Sequence, residues 1–165
     1  MPIIPAIEIG SASASTAHAA DLGKLVVVNG KTYRLVRANA AISAAANKVV
    51  VRTAATAGTW TINTTTSANS PLVAGVIPAG QTGSDNSTGL VSGDYFYVQV
   101  AGEATPIVNT GSVAAGTGLT TFTDAGECDA VSGTFGATTP GIVFATLLTA
   151  SSANTATLAK LVNLI

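Results

Sequence analysis

The stretch Lys24-Leu-Val-Val-Val-Asn29-Gly30-Lys-Thr-Tyr-Arg-Leu-Val-Arg37 decides the fold of this 165-residue chain. Two runs rich in β-branched and aromatic residues flank Asn29-Gly30, a dipeptide that readily adopts the positive φ angles of a type I′ turn. The stretch therefore predicts a tight β-hairpin.

Outward from this hairpin, short apolar runs continue along the chain, and most of them end at Gly, Pro, Asn or Ser. The runs cover residues 49–51, 59–64, 72–77, 94–100, 104–109, 119–123 and 142–148. With the hairpin they give about eight to ten short strands, a pattern typical of all-β domains. We expect a single β-sandwich or a small barrel rather than alternating strands and helices.

The run 94–100 has the clearest two-residue period, in which alternate side chains point to opposite faces of a strand. One row is Tyr95, Tyr97 and Gln99, and the other row is Phe96, Val98 and Val100. The apolar row predicts a core face. The row with Tyr95 and Tyr97 predicts a contact with another sheet or another subunit.

Three local features add further predictions. Gly75 interrupts an apolar run, which indicates a bulge or a crowded position in a strand. The turn-like Ala101-Gly102-Glu103 predicts that the runs on its two sides pair as a hairpin. The last apolar segment, 156–165, fits a strand but also has apolar residues at helical spacing, so both conformations stay open.

The first nine residues place Ile3, Ile4, Ile7 and Ile9 among two prolines, which favours an extended arm over a helix. The Ala- and Ser-rich stretch that follows has little to bury, so we expect a linker or a short weak helix. The chain then divides into an arm and linker, residues 1–21, and a β-rich domain, residues 22–165. Either that domain or a neighbouring subunit could supply the apolar surface that the isoleucines need.

Charge is scarce in this chain. Only 9% of its residues are charged, whereas about a quarter are charged in an ordinary soluble domain. Ala, Thr, Gly and Ser together make up 84 of the 165 positions. So neutral a surface does not steer ionic substrates, and it is suited to a protein packed against others in an assembly.

The distribution of charge argues against nucleic acid as a partner, because the net charge is −1 and such binding usually needs clustered cations. Six of the seven basic residues nevertheless lie in one third of the chain. They are Lys24, Lys31, Arg34, Arg37, Lys48 and Arg52. We interpret them as a solvated rim on strand faces, with a patch for an acidic partner surface as the alternative.

The sequence offers no membrane span, because polar residues interrupt every apolar stretch well short of about 20 residues. The amino terminus lacks the basic region of a signal peptide, and the single cysteine cannot form an internal disulfide. We therefore expect synthesis inside the cell.

Few side chains could support catalysis. His18, the only histidine, lies in the Ala/Ser stretch, where we expect nothing rigid to hold it in a triad. Cys128 has no basic neighbour in sequence and predicts a buried, inert thiol. The acidic stretch 124–129 raises the possibility of calcium, but its spacing is not that of an EF-hand loop, so we favour a solvated turn. We predict no catalytic residue, cofactor or metal.

Three stretches resemble the small head decoration proteins, or capsid cement proteins, of tailed bacteriophages. They are Leu22-Gly-Lys-Leu-Val-Val-Val-Asn-Gly-Lys-Thr-Tyr33, Ser92-Gly-Asp-Tyr-Phe-Tyr-Val-Gln-Val-Ala-Gly-Glu103 and Pro140-Gly-Ile-Val-Phe-Ala-Thr-Leu-Leu148. With the Ala/Thr/Gly-rich segments between them, the likeness covers most of residues 22–150. The likeness consists of similar composition and a similar order of segments rather than of a diagnostic motif.

The resemblance implies a structural, non-enzymatic virion protein, often a homotrimer, on the outer capsid surface. Such a protein bridges major capsid protein subunits and stabilises the shell, and its extended arm lies on the capsid or a neighbour. In this chain the arm contacts would fall to Ile3, Ile4, Ile7 and Ile9, and Tyr95 and Tyr97 would add contacts with a subunit or the capsid. The resemblance also implies synthesis in the cytoplasm of the bacterial host. Two alternatives remain, namely another virion part such as a tail or head-fibre protein, and a carbohydrate-binding β-sandwich that uses Trp60 or the tyrosines.

Overall fold

A computed structural model of the chain describes residues 7–54, 56, 58, 60–64, 70–109, 111–131, 143–162 and 164. Within these residues the regular structure is twelve short β-strands and one 3₁₀ helix, Thr16–Asp21. The predicted all-β class is confirmed, with slightly more strands than the sequence indicated.

The strands follow one another along the chain with turns and loops between them. They are β1 (Leu25–Val28), β2 (Lys31–Ala38), β3 (Val49–Arg52), β4 (Thr61–Thr64), β5 (Val73–Val76), β6 (Tyr95–Ala104), β7 (Ile107–Val108), β8 (Gly118–Thr121), β9 (Cys128–Ala130), β10 (Ala145–Leu147), β11 (Thr155–Ala156) and β12 (Ala159–Leu161). Each predicted run overlaps one of these strands. Thr59, at the start of the run 59–64, lies outside the described residues.

The hairpin that the opening stretch predicts is formed by β1 and β2. Its strands pair antiparallel from Leu25 opposite Arg34 to Val28 opposite Lys31. Asn29 and Gly30 have φ angles of 50° and 74°, as both central residues of a type I′ turn require.

A closed five-stranded barrel is the centre of the fold. The strand order around it is β2, β4, β3, β5 and β6, and β6 pairs back with β2 along six residue pairs. β2 and β4 run parallel, and every other neighbouring pair is antiparallel. Closure leaves no free edge within the barrel, so its backbone groups are paired internally.

The barrel interior holds the apolar row of β6 that the sequence predicted. Phe96, Val98 and Val100 are fully buried there beside Val36 of β2 and Ile62 of β4. Alternate residues of all five strands therefore fill one apolar core, as in other small barrels.

A second sheet continues from the barrel because β6 is long enough to serve both. Its last residues, Gly102 to Ala104, pair with β12, and the sheet proceeds through β10, β8, β9 and β7 to β11. A second apolar core, which includes Phe144 and Leu119, lies against the outer side of the barrel at Val49. The carboxyl-terminal segment thus forms strands rather than a helix in its described part.

The predicted hairpin around Ala101-Gly102-Glu103 is wrong. The chain remains extended through these residues, and β7 pairs with β9 and β11 instead of β6. Gly102 has a positive φ of 92°, and a Cβ atom there would lie 3.2 Å from the carbonyl oxygen of Gly30 and from the Cα atom of Lys31. Glycine at this position therefore serves the close approach of β6 to the β1–β2 turn rather than a turn of its own. The buried amide of Gln99 satisfies the backbone there by donating to the carbonyls of Ala101 and Glu103, at 3.1 and 2.7 Å.

Gly75 of β5 is a crowded position, as the sequence indicated. The pairing of β3 with β5 shifts register beside it, and its φ is 154°. A Cβ atom at this position would lie 2.5 Å from the backbone oxygen of Gln99 and 3.1 Å from a methyl group of Val98. Only glycine lets β5 approach β6 closely enough to close the barrel.

Gly75→Ala is expected to lower the free energy of unfolding by about 2 kcal/mol or more, because the new methyl group meets backbone atoms. Gly80→Ala is the matched control, since Gly80 also has a positive φ, 77°, but nothing within 4 Å of its Cβ position. The control should lose only about 1 kcal/mol. Urea denaturation of both variants measures the difference, and equal losses would contradict the crowding.

Cys128 lies in the second core with no exposed surface, and its Sγ donates to the carbonyl of Ile107 at 3.2 Å. Burial raises the pKa of its thiol, and the neighbouring carboxylates Asp129 and Glu127 raise it further. The thiol therefore stays protonated at neutral pH, and the predicted buried cysteine is confirmed.

The folded protein should resist modification of Cys128 by a thiol reagent such as 5,5′-dithiobis(2-nitrobenzoic acid) at about pH 8, and react fully once guanidinium unfolds it. Above about pH 8.5 the unfolded chain loses the thiol proton while the folded chain keeps it, so stability should decline with rising pH. Cys128→Ala should weaken that decline. Rapid labelling of the folded protein would contradict the burial.

Candidate functional site

The amino-terminal segment lies on the barrel from residue 7 onward. Ser13 forms a two-way backbone bridge with Tyr95, with N–H···O distances of 2.9 and 2.8 Å. The N–H of Thr82 also donates to the carbonyl of Gly10 at 2.9 Å. This part of the predicted arm and linker therefore packs on its own domain in the single chain.

The four arm isoleucines are placed differently. Ile7 and Ile9 are half-buried and line two separate cavities of about 340 and 270 Å³. Ile3 and Ile4 lie outside the described residues. Ile7 and Ile9 thus already have part of the apolar surface that the sequence required for them.

His18 corrects one expectation. The sequence indicated that nothing rigid would hold it, but it lies in the 3₁₀ helix and is only 6% exposed. Its ring is 6.1 Å from the ring of Tyr95. Sequence analysis missed this contact because it joins two segments about 80 positions apart.

The side chains of Tyr95 and Tyr97, the predicted contact residues, both lie on the outer face of the barrel. Tyr95 is only 4% exposed, because the amino-terminal segment covers it. Tyr97 is half-buried, and this burial raises the pKa of its hydroxyl. The ring of Tyr95 is therefore not an open platform on which a sugar could stack.

The outer edge of the β1–β2 hairpin is the main exposed apolar feature. Leu25, Val27 and Val28 of β1 are 40%, 70% and 42% exposed. β1 is the first strand in the sheet order and pairs only with β2 in the described part of the chain. Alternation of antiparallel hydrogen bonds then directs the backbone N–H and C=O groups of Leu25 and Val27 outward. The sequence predicted this strand but not its place at an edge.

One mouth of the barrel carries a cluster of Arg34, Trp60 and Arg52, which we call the arginine mouth. The guanidinium carbons of Arg34 and Arg52 lie 4.0 and 5.3 Å from the centre of the Trp60 ring. Such distances give favourable cation–π contacts. The Trp60 ring therefore holds guanidinium groups rather than offering a bare face to a carbohydrate.

Arg34 departs from the predicted solvated rim, because it is only 5% exposed. Its Nη1 donates to the carbonyl of Leu164 at 3.0 Å, while its buried Nε has no hydrogen-bond partner. Burial lowers the pKa of Arg34, and the positive charge of Arg52 lowers it further. The ion pair found in the described ranges is elsewhere, between Lys24 and Asp21 at 2.6 Å.

The acidic residues have structural partners. Asp94 is buried and its carboxylate accepts hydrogen bonds from Ser84 and from the N–H of Val91, which fixes the loop before β6. In the acidic turn, the side-chain amide of Asn109 donates to Asp124 and Glu127. Across the part of the chain that is described, no three acidic, histidine or cysteine residues gather in a possible metal site. The helix among those residues is too short to cross a membrane.

Comparison with known proteins gives a structural likeness only. No family model matches the chain, and none of the curated proteins matches it. Among solved structures, the chain is similar to the crystal structure of head fiber gp8.5 N base in bacteriophage phi29, with a TM-score of 0.51 and 13% identity. The superposition covers 81% of this chain and 95% of that chain. At this identity the likeness shows that the two share a fold.

Proposed function

We propose that this chain is a structural protein of a bacteriophage virion that attaches to the outer capsid surface. There it bridges subunits of the major capsid protein and stabilises the shell. The observation that carries the proposal is the fold shared with a phage head-fibre base over 95% of that chain. The three stretches that resemble capsid decoration proteins point independently to the same class.

The surface of the domain suits this role. A free edge strand can add a strand from another protein, and backbone pairing then provides affinity while side chains provide selectivity. β1 is such an edge, and its side chains Leu25, Val27 and Val28 are apolar and exposed. We assign this edge to contact with the major capsid protein.

The mechanism of stabilisation is mass action. A protein that binds the assembled shell and not its free subunits shifts the equilibrium towards the shell. We propose a homotrimer, because three linked copies of one weak contact bind far more tightly than one copy. Ile3, Ile4, Ile7 and Ile9 belong to the arm that we assign to neighbour contacts, and we assign Tyr97, on the outer face of the barrel, to the same role.

The base of a head fibre is the second candidate, and the phi29 structure is the specific observation that favours it. A cement protein distributes over the shell at many equivalent junctions, whereas a fibre base carries a projecting rod. Reconstruction of the particle by electron cryomicroscopy separates the two, because density would continue outward from the domain only in a fibre. Density confined to the tail, or absence of the chain from virions, would overturn both.

Val27→Lys tests the assigned edge. A lysine on β1 should weaken binding to capsids that lack the protein by about tenfold, because the charge must be desolvated at the contact. Val162→Lys is the matched control, since Val162 is also an exposed valine, 48% accessible, and directly follows β12, away from β1 in the sheet order. Co-sedimentation with purified capsids measures both. Equal binding of the two variants would remove β1 from the proposed contact.

A further inference from the structure

We propose that the arginine mouth, formed by Arg34, Trp60 and Arg52, binds a carboxylate group of a second protein molecule. The identity of that molecule as a virion component rests on the proposed function. The presence of a carboxylate site does not, because it follows from the geometry and charge of the barrel mouth.

The topology brings the three side chains together. Arg34, Trp60 and Arg52 continue the inward-facing rows of β2, β4 and β3, and β2 and β4 run parallel so that these rows begin at the same end. Arg52 lies opposite Ile62, two residues after Trp60. The interior rows are otherwise apolar, so the two cations stand where the core meets the surface.

The charges in this cluster are not balanced. Two guanidinium groups share one indole ring, and none of the described carboxylates forms an ion pair with either. Only 5% of Arg34 is exposed to solvent, and its Nε has no hydrogen-bond partner. Buried cations in proteins are ordinarily paired, because an unpaired one carries a large desolvation cost. Within the described residues the mouth therefore has two positive charges and no negative group that balances them.

Among the anionic groups that proteins carry, a carboxylate best matches the two unbalanced guanidinium groups of the mouth. The planar guanidinium presents parallel N–H groups that match the two oxygens of a carboxylate. A guanidinium group that stacks on an aromatic ring still donates its N–H groups within its own plane. Arg52, which is half-buried, can therefore present them to a carboxylate, whereas Arg34 contributes mainly its charge. Gly23 lies against the Trp60 ring and has a φ of 84°, so a larger residue there would displace the ring from its position.

The mouth also adjoins the exposed edge of the hairpin. Leu25 of β1 is paired directly opposite Arg34 of β2, so their side chains share one face. A strand added to β1 would pass close to the mouth and could direct an Asp or Glu side chain into it. Apolar pairing at the edge and a charged contact at the mouth then belong to one surface.

Trp60 supplies the test, because it is the only tryptophan of the chain. Sodium acetate titrated at constant ionic strength against sodium chloride should produce a saturable change in Trp60 fluorescence. Arg52→Gln should weaken acetate binding by about tenfold. Arg37→Gln is the control, since Arg37 is exposed and lies 5.9 Å from the ring of Tyr95, and it should bind acetate as the original protein does.

A second variant guards against loss of the fold. Arg34→Lys keeps the charge but loses the planar fork, so it should remain folded and bind acetate more weakly than the original protein. Circular dichroism checks the fold of each variant. Fluorescence that responds equally to acetate and chloride, or equally in the Arg52 and Arg37 variants, would overturn the proposal.

Two further measurements identify the source of the carboxylate. If a second copy provides it, Arg52→Glu should reduce the oligomeric mass found by light scattering, and Arg37→Glu should not. If another virion protein provides it, Arg52→Glu should keep the mass but lose capsid binding. Identical behaviour of the two variants in both assays counts against a protein carboxylate. Acetate binding without any capsid binding would leave this site standing while the proposed function fails.

Discussion

The pairing of β2 with β6 is the constraint on which the rest of the structure depends. Six residue pairs join these strands and turn five neighbours into a closed barrel, which has no internal edge. The same two strands continue beyond the barrel. β2 carries the hairpin partner β1 to one edge, and β6 carries the second sheet through its last residues, Gly102 to Ala104. Loss of this one pairing would open the barrel, and β2 would then be joined to β6 only through β4, β3 and β5.

Close approach of backbones makes this pairing possible in a chain rich in small residues. Gly75 lets β5 lie against β6, and the bulge beyond Gln99 is satisfied by the buried amide of Gln99 itself. The two cores then need few large side chains, because each is thin and each shares strands with the other. Low aromatic content is thus consistent with a firmly packed molecule, since packing density depends on fit rather than on the size of the residues.

Local patterns in the sequence predicted local structure. Asn29-Gly30 specified the turn, and alternation in 94–100 identified the row that fills the barrel, because both signals depend only on neighbouring residues. Partners distant in sequence were not accessible in the same way. Gly102 resembled a turn residue but lies within a long strand, where it lets β6 approach the β1–β2 turn closely. Arg34 resembled a solvated cation although its row faces inward. Which strand is an edge, and which face is inside, follows from closure of the barrel.

The arginine mouth has consequences for a chain with so few charges. A buried cation without an ionic partner carries a desolvation cost, so stability alone gives no reason to place Arg34 at the end of an apolar row. Its stacking on Trp60 and its bond to Leu164 recover part of the desolvation cost but leave Nε without a partner. A partner that brings its own carboxylate would recover the remainder on binding. In the proposed contact, the sparsely charged surface permits close packing against the partner. The two stacked arginines fix the register in which that partner binds.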